Sequence, residues 1–388
     1  MSQPAVHPQR PLRIALLGSR GIPANYGGYE TLMEELAPRL AAMGFDVTVY
    51  CRSHYTPRDL THYRGVHLRV LPTLRTRHLD TPVHTLLSAF DTIGRSFDAA
   101  LVVNGANALF VPLLQLGGTS VALHVDGIER QRSKWGALGR AVYSLSEQLA
   151  CLVPDVLVTD ADVIRAYYQE RYGAASEPIA YGVDPVVPEG RETLERLGIA
   201  SRRFFLYVSR FEPENNPHRV ARAYAAAGGD LPLVMVGGAP YADGFIAGFR
   251  DGADPRILFP GTIYGEGYRQ LLAHALAYVH ATEVGGTHPA LVEAMGYGNC
   301  VLVNDTPENR EVAGEAGLYF RAAEPAGLTA LFDRIRTDPD AARARGALAA
   351  ERAARRYSWE RVAEQYAGLF RRMAGRRDGA TPGRTGVK

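Results

Sequence analysis

Short apolar runs, each ending in a glycine or polar turn and followed by a helical pattern, recur along this 388-residue chain and restrict its fold more than any other feature. The first is RIALLGSRG; a helical pattern follows at residues 30–43 and a second run at 46–50. Further strands are expected at 67–71, 99–104, 120–124 and 156–160, with helices at 134–152 and 163–172. Strands that are apolar throughout are buried on both faces, and strands alternating with helices pack as a parallel sheet covered on both sides. The stretch PIAYGVDPVVPEG, rich in proline and glycine, reads as a linker around 180–190. After it the pattern restarts, with strands expected at 204–209, 233–237, 257–260, 277–280 and 300–304. Residues 338–374 read as helix, with Ser358 of SWERVAEQYAGLF in an N-cap position, and the residues beyond 375 read as a flexible tail. A chain of this length exceeds one ordinary core. The expectation is therefore an α/β protein of two Rossmann-like, doubly wound domains, whose strand carboxyl ends face each other across a cleft where ligands bind.

Composition removes several alternatives. No apolar run reaches the roughly 18 residues of a spanning helix, and residues 1–13 lack the apolar stretch of a signal peptide, so a cytoplasmic enzyme is expected. Cys51, Cys151 and Cys300 are far apart and read as reduced, buried thiols rather than as a disulfide or zinc set. A net charge of +2 argues against bulk nucleic-acid binding. Between Arg52 and His78, six arginines and four histidines meet one acid, Asp59. The first reading of that stretch is a solvated face; the second is a patch for an anionic acceptor or an acidic lipid surface.

Four segments carry chemistry. In GSRGIPANYGGYET, glycines follow a strand and open a helix, but the spacing is not that of the dinucleotide fingerprint. Gly27 and Gly28, just before Tyr29 and Glu30, would let a ligand approach backbone amides; a plain tight turn competes with that reading. In HVDGIERQRSKWG, His124 and Asp126 fall at the carboxyl end of a strand, with Arg130 behind them at a helix start. In YVSRFEPENNPHRV, Arg210 ends a strand, where a guanidinium can clamp two diphosphate oxygens; the alternative is a surface pair with Glu212 or Glu214. In HATEVGGTHPALVEAMGYGNCVLVND, His288 and Pro289 suit the N-cap and first helical positions. Gly285, Gly286 and Thr287 would leave the first amides open as an anion site. Glu293, one turn in, could accept hydrogen bonds from the vicinal hydroxyls of a ribose, with a buried structural glutamate as the alternative. Asp160 and Asp162 read as helix caps rather than as a metal-binding pair.

These motifs together resemble the retaining glycosyltransferases of family 4, in the two-domain GT-B fold, and in particular the bacterial rhamnosyltransferases, over roughly residues 12–372. The resemblance implies an acceptor domain at 1–183, with 356–375 crossing back to it, a nucleotide-sugar domain at 184–355, and a tail at 376–388. It implies neither metal nor cofactor, the nucleotide-sugar being a substrate. Arg210 would bind phosphate, Glu293 the ribose, and His124 would sit by the transferring sugar. Gly27, Gly28, Asn215, Gly285, Gly286, Thr287 and His288 would line the donor; Tyr29, Glu30, Asp126 and Arg130 would face the acceptor. Closure around residues 181–185 would exclude water. Two departures stand out. The lysine usual five residues after the arginine is Asn215, and the two glutamates usual at a spacing of eight are Glu283 and Glu293, ten apart. The donor implied is TDP-rhamnose, with a UDP-sugar or an inactive nucleotide-sugar-binding protein as alternatives. The acceptor implied is a saccharide or lipid-linked saccharide, handled by a peripheral membrane enzyme of cell-surface polysaccharide synthesis.

Overall fold

The computed structural model describes residues 10–24, 27–76, 79–128, 137–239 and 242–378. Two sheets are present. The first contains β1 (Arg13–Leu17), β2 (Asp46–Arg52), β3 (His62–Tyr63), β4 (Val66–Leu71), β5 (Ala99–Val103), β6 (Ser120–Val125), β7 (Val156–Thr159) and β8 (Glu177–Pro178), in the order β3-β4-β2-β1-β5-β6-β7-β8. The second contains β9 (Phe205–Arg210), β10 (Leu233–Gly238), β11 (Ile257–Gly261), β12 (Ala277–His280), β13 (Cys300–Asn304) and β14 (Leu318–Phe320), in the order β11-β10-β9-β12-β13-β14.

The apolar runs explain these strands. Ile14 to Leu17 of β1 are fully buried, as residues covered on both faces must be. Over the first sheet, helix Gly28–Ala42 buries Leu32, Met33, Leu36, Ala37 and Leu40, the three-and-four spacing of one helical face. In the second sheet the period of two is visible in the packing. Phe205, Tyr207, Leu233 and Met235 join the core on one face, while Leu206, Val234 and Val236 join the core on the other. The pairs β2·β4, β1·β2, β1·β5 and β5·β6 are parallel, as are all five pairs of the second sheet; β3 forms an antiparallel edge on β4.

Each sheet is wound outward from a central strand in one direction and then in the other. The reversal falls between β1 and β5 in the first sheet and between β9 and β12 in the second. Ligands of such sheets bind at the carboxyl ends beside the reversal. By contacts, the first compact unit comprises the described residues up to Val125, Leu145–Val158 and the chain from Ala363; the second comprises those of Asp126–Ser144 and Thr159–Val362. This division differs from the expected boundary at 183, since Asp160 and its neighbours group with the second unit.

Three differences from the sequence reading have simple causes. The expected helix over 338–374 is two helices, Pro339–Arg356 and Trp359–Asp378, because Ser358 starts a new one and accepts the Arg361 amide at 3.3 Å. From Ala363 onward this last helix belongs to the first unit, where the Phe370 ring meets Phe45 at 6.4 Å between centroids. Strands β3, β8 and β14 are two or three residues long, too short to show a period. The basic stretch is also not a uniform open face. Arg52 is 3% exposed, paired with Asp80 at 2.5 Å and with the Thr81 hydroxyl at 3.0 Å, and Arg69 is paired with Asp91 at 2.7 Å. Arg77 and His78 lie outside the described residues. Among the described residues, no helix is long and apolar enough to cross a membrane.

Candidate functional site

The second unit gathers several expected residues at its sheet reversal. Arg210 is the last residue of β9; its side chain is 42% exposed and lies 3.7 Å from Glu212, too far for a tight pair. The chain then turns through a short 3-10 segment, Pro213–Asn215, into Asn216, whose φ of +57° is left-handed, a conformation asparagine tolerates. The Asn215 side chain donates to the Arg210 carbonyl at 2.8 Å, and its own carbonyl accepts the Tyr207 hydroxyl at 2.7 Å. Asn215, expected on the donor side, is buried at 5% exposure and fixes the strand end that presents Arg210. Asn216 donates to the Ala281 carbonyl at 2.9 Å and to Glu283 at 3.0 Å, so the ends of the adjacent strands β9 and β12 are tied together. Glu283 is thereby held on Asn216 and Arg219.

The turn after β12 leads into helix Pro289–Gly296, with His288 at the N-cap and Pro289 at the first position as the sequence predicts. The turn is braced rather than open. The Asp160 carboxylate accepts the Thr287 amide at 2.9 Å, and the Asp160 carbonyl accepts the Thr287 hydroxyl at 2.5 Å. A Cβ on Gly286 would lie 1.9 Å from the other Asp160 oxygen, and one on Gly127 would lie 2.9 Å from the Gly285 Cα. Gly285 (φ +155°) leaves room for the His288 ring. The glycines of this turn thus permit close packing, and Thr287 binds Asp160, where the sequence reading had all three meeting the donor. Glu293, one turn into the helix and partly buried, accepts the Tyr268 hydroxyl at 2.7 Å. That bond orients the carboxylate.

Asp160 also corrects the capping assignment. The N-cap of helix Asp162–Tyr172 is Ala161, with no side-chain cap; the Asp162 and Val163 amides are taken by the Glu311 carboxylate at 2.7 and 2.8 Å. Burial raises the Asp160 pKa well above its ordinary value, and the nearby Asp126 and Glu311 add to the rise. Asp126, expected on the acceptor side, is thus close enough to Asp160 to be felt electrostatically. His280, at the end of β12, is buried, its ring 4.7 Å from His288, and burial pushes its pKa down to about 3.

In the first unit, the loop after β1 is braced from the helix that follows it. Glu30 is buried and accepts the Arg20 amide at 2.8 Å; Glu34, one turn further, accepts the Ala24 amide at 2.6 Å. Glu30, expected on the acceptor side, supports the loop through its bond to the Arg20 amide. Gly27 is the N-cap with extended backbone, and Gly28 is the first helical residue. His124 lies at the carboxyl end of β6 as predicted, but it is fully buried. Its Nδ1 is 2.7 Å from the Tyr366 hydroxyl, and its ring meets Tyr29 edge-on at 5.9 Å. Burial pushes its pKa down to about 3, so the imidazole is neutral. Arg130 lies outside the described residues.

Sequence reasoning missed Asp160, Tyr268 and Asn216 as the groups that hold the Thr287 turn, Glu293 and Glu283. Asn216 carried a usable signal, as an asparagine directly before a helix-opening proline. Asp160 acts across 127 residues and Tyr268 across 25, and neither left a local pattern.

Comparison with known proteins agrees with this architecture. Residues 27–182 match the glycosyl transferase 4-like domain family and residues 191–352 match glycosyl transferases group 1. The α-maltose-1-phosphate synthase of Mycolicibacterium smegmatis is 24% identical over 94% of this chain and all of its own length. The structure of sucrose-phosphate synthase from Thermosynechococcus elongatus superposes with a TM-score of 0.79 at 18% identity, covering 94% of this chain and 100% of that one. Anabaena HepE in complex with UDP-glucose superposes with a TM-score of 0.75 at 16% identity, covering 93% and 99%. Both halves of the chain match glycosyltransferase families and the fold is shared over more than nine-tenths of its length: the protein is a glycosyltransferase of the GT-B fold.

Proposed function

We propose that the protein transfers a sugar from a nucleotide-sugar to a hydroxyl acceptor with retention of anomeric configuration. The observation that carries the reading is a half-exposed guanidinium, Arg210, at the end of β9, and a carboxylate, Glu293, in the helix that follows β12 and oriented by Tyr268; β9 and β12 flank the second sheet's reversal. The guanidinium suits a diphosphate and the carboxylate suits ribose hydroxyls. HepE, solved with UDP-glucose, is a similar fold and supports a nucleotide-sugar donor.

In the proposed reaction the acceptor hydroxyl oxygen attacks the anomeric carbon on the face from which the diphosphate departs. The carbon–oxygen bond to phosphate breaks, and the departing phosphate oxygen takes the acceptor proton. No side-chain base is required, and His124, buried and neutral, is not one. The work of the protein is then positioning and stabilisation of charge on the leaving diphosphate, in which Arg210 has the largest part.

The sequence resemblance points to TDP-rhamnose, onto a saccharide or lipid-linked saccharide. A UDP-sugar is the second reading, favoured by Glu293, since a ribose offers it two hydroxyls where a deoxyribose offers one. Turnover assays with TDP-rhamnose and UDP-glucose, with the product anomer assigned by NMR, test both readings. Retained configuration is expected with one donor; an inverted product would overturn the mechanism, and turnover of neither donor would leave a binding protein.

A further inference from the structure

A cavity of about 530 Å³ lies elsewhere in the second unit, between residues 185–191, the end of helix Gly265–His274 and the end of helix Pro289–Gly296. Its lining carries two guanidinium groups, Arg191 and Arg202, and the His274 imidazole, against one carboxylate, Glu189. The neighbouring Arg203 is paired with Asp230, but among the described residues no carboxylate pairs with Arg191 or Arg202. Arg202 is held in place by its backbone: its φ is +59°, its amide donates to the His274 carbonyl at 2.8 Å, and one of its guanidinium nitrogens donates to the Ala275 carbonyl at 2.8 Å. Arg202 is half-buried and its charge is opposed by burial and by Arg343; without a neutralising acid such a guanidinium favours an anion beside it. The effect reaches His274, whose pKa is lowered by burial and then by Arg191 and Arg202.

The opposite wall is the proline-rich segment itself. The Tyr297 hydroxyl donates to the Val186 carbonyl at 3.0 Å and accepts the Val186 amide at 3.3 Å, which straps the segment over the helix end. Val186 and Val187 of this strap are 58% and 85% exposed and give the cavity an apolar side. We infer that this cavity binds a small organic oxyanion, a phosphate or sulfate ester, with the oxyanion between Arg191 and Arg202 and the carbon skeleton against Val186 and Val187. Neither Arg210 nor Glu293 lines the cavity, and the inference stands whether or not the donor reading holds.

The chain contains a reporter for the strap. Trp359 packs on Gly182, where a Cβ would lie 2.6 Å from its ring, and its amide donates to Asp184 at 3.3 Å. Trp135 is the other tryptophan. Phenyl phosphate and inorganic phosphate are titrated into the Trp135→Phe protein, with Trp359 emission and calorimetric heat as readouts. Saturable binding is expected, tighter for phenyl phosphate, at least tenfold weaker in Arg191→Gln and in Arg202→Gln, and unchanged in Arg210→Gln. Arg191 is exposed, so its variant tests the site even if Arg202→Gln fails to fold. Absence of saturable heat with either probe overturns the inference. So does binding lost in Arg210→Gln but kept in Arg191→Gln, which would place the probe at the donor turn.

Discussion

The two glycine-rich turns that follow central strands, one in each unit, solve the same problem with opposite electrostatics. Both must hold a loop still at a strand's carboxyl end while keeping its backbone compact, and both use a buried carboxylate to receive a loop amide. In the first unit the carboxylate is Glu30, ten residues from the amide it binds and within reach of Arg20 and Arg52, whose charges oppose the rise that burial imposes on its pKa. In the second it is Asp160, 127 residues from Thr287, and its charged neighbours Asp126 and Glu311 are acids that add to the rise. The local brace has cations beside it that offset part of the rise imposed by burial. The long-range one has acids beside it, and they add to the rise that burial imposes. The lesson is that burial raises a braced carboxylate's pKa, and its charged neighbours offset or add to that rise.

The comparison can be broken most sharply at the glycines. Gly286→Ala would drive a methyl against the Asp160 carboxylate, whereas the nearest atom to a Cβ on Gly27 is at an ordinary 3.4 Å. Urea unfolding is expected to show a loss of about 3 kcal/mol for Gly286→Ala and about 0.5 kcal/mol for Gly27→Ala. Equal losses would mean that the two turns are equally permissive. Next comes the brace itself. Asp160→Ala leaves the Thr287 amide buried without an acceptor, a cost of about 2 kcal/mol, while Asp160→Asn keeps an acceptor and should cost less than about 1 kcal/mol. Glu30→Gln, which removes a charge that Arg20 and Arg52 favour, should cost more than Asp160→Asn. The reverse order would remove the proposed difference between cationic and acidic surroundings.

A pH series sharpens it further. Asp160 has a folded pKa raised above its unfolded value, so its contribution is fully present below the ordinary aspartate value of 3.8 and is lost as pH rises through the folded pKa. Wild-type stability minus that of Asp160→Asn should therefore fall as pH climbs from about 4 toward 8; a flat difference would show an unshifted acid. The histidines run the other way. His124 and His280 have folded pKa values of about 3 against an ordinary 6.5, so their contribution is present above 6.5 and is lost as pH falls toward 3. His124→Gln and His280→Gln should each flatten the acid limb of the stability profile measured by chemical denaturation. Wild-type steepness in either variant would mean that its histidine is not held neutral.

Legibility from sequence followed the range of the interaction. The strands of both central sheets could be read because burial on two faces makes them apolar throughout, and the Cys300–Asn304 and Ala277–His280 strands have the expected bounds. The placement of Arg210 at a strand end and of His288 and Pro289 at a helix start could also be read, since both depend on adjacent residues. The roles of Glu30, Asn215 and Thr287 could not, because their partners are fixed by the folded chain and not by the motif. Asp160 was read as a helix cap for the same reason. A carboxylate before a helix is commonly a cap, and nothing local reveals that Glu311, some 150 residues on, already occupies that place.

The central claim, a nucleotide-sugar donor held by Arg210 and Glu293, is tested most directly by the melting temperature of the protein with TDP, UDP, GDP and ADP and their sugar conjugates, with Glu293→Ala alongside. A ligand at one hundred times its dissociation constant adds about 2.7 kcal/mol, enough for a shift of a few degrees. The account predicts a shift selective for one nucleotide, enlarged or matched by its sugar conjugate and lost in Glu293→Ala. No shift with any nucleotide, or an equal shift in Glu293→Ala, would contradict it.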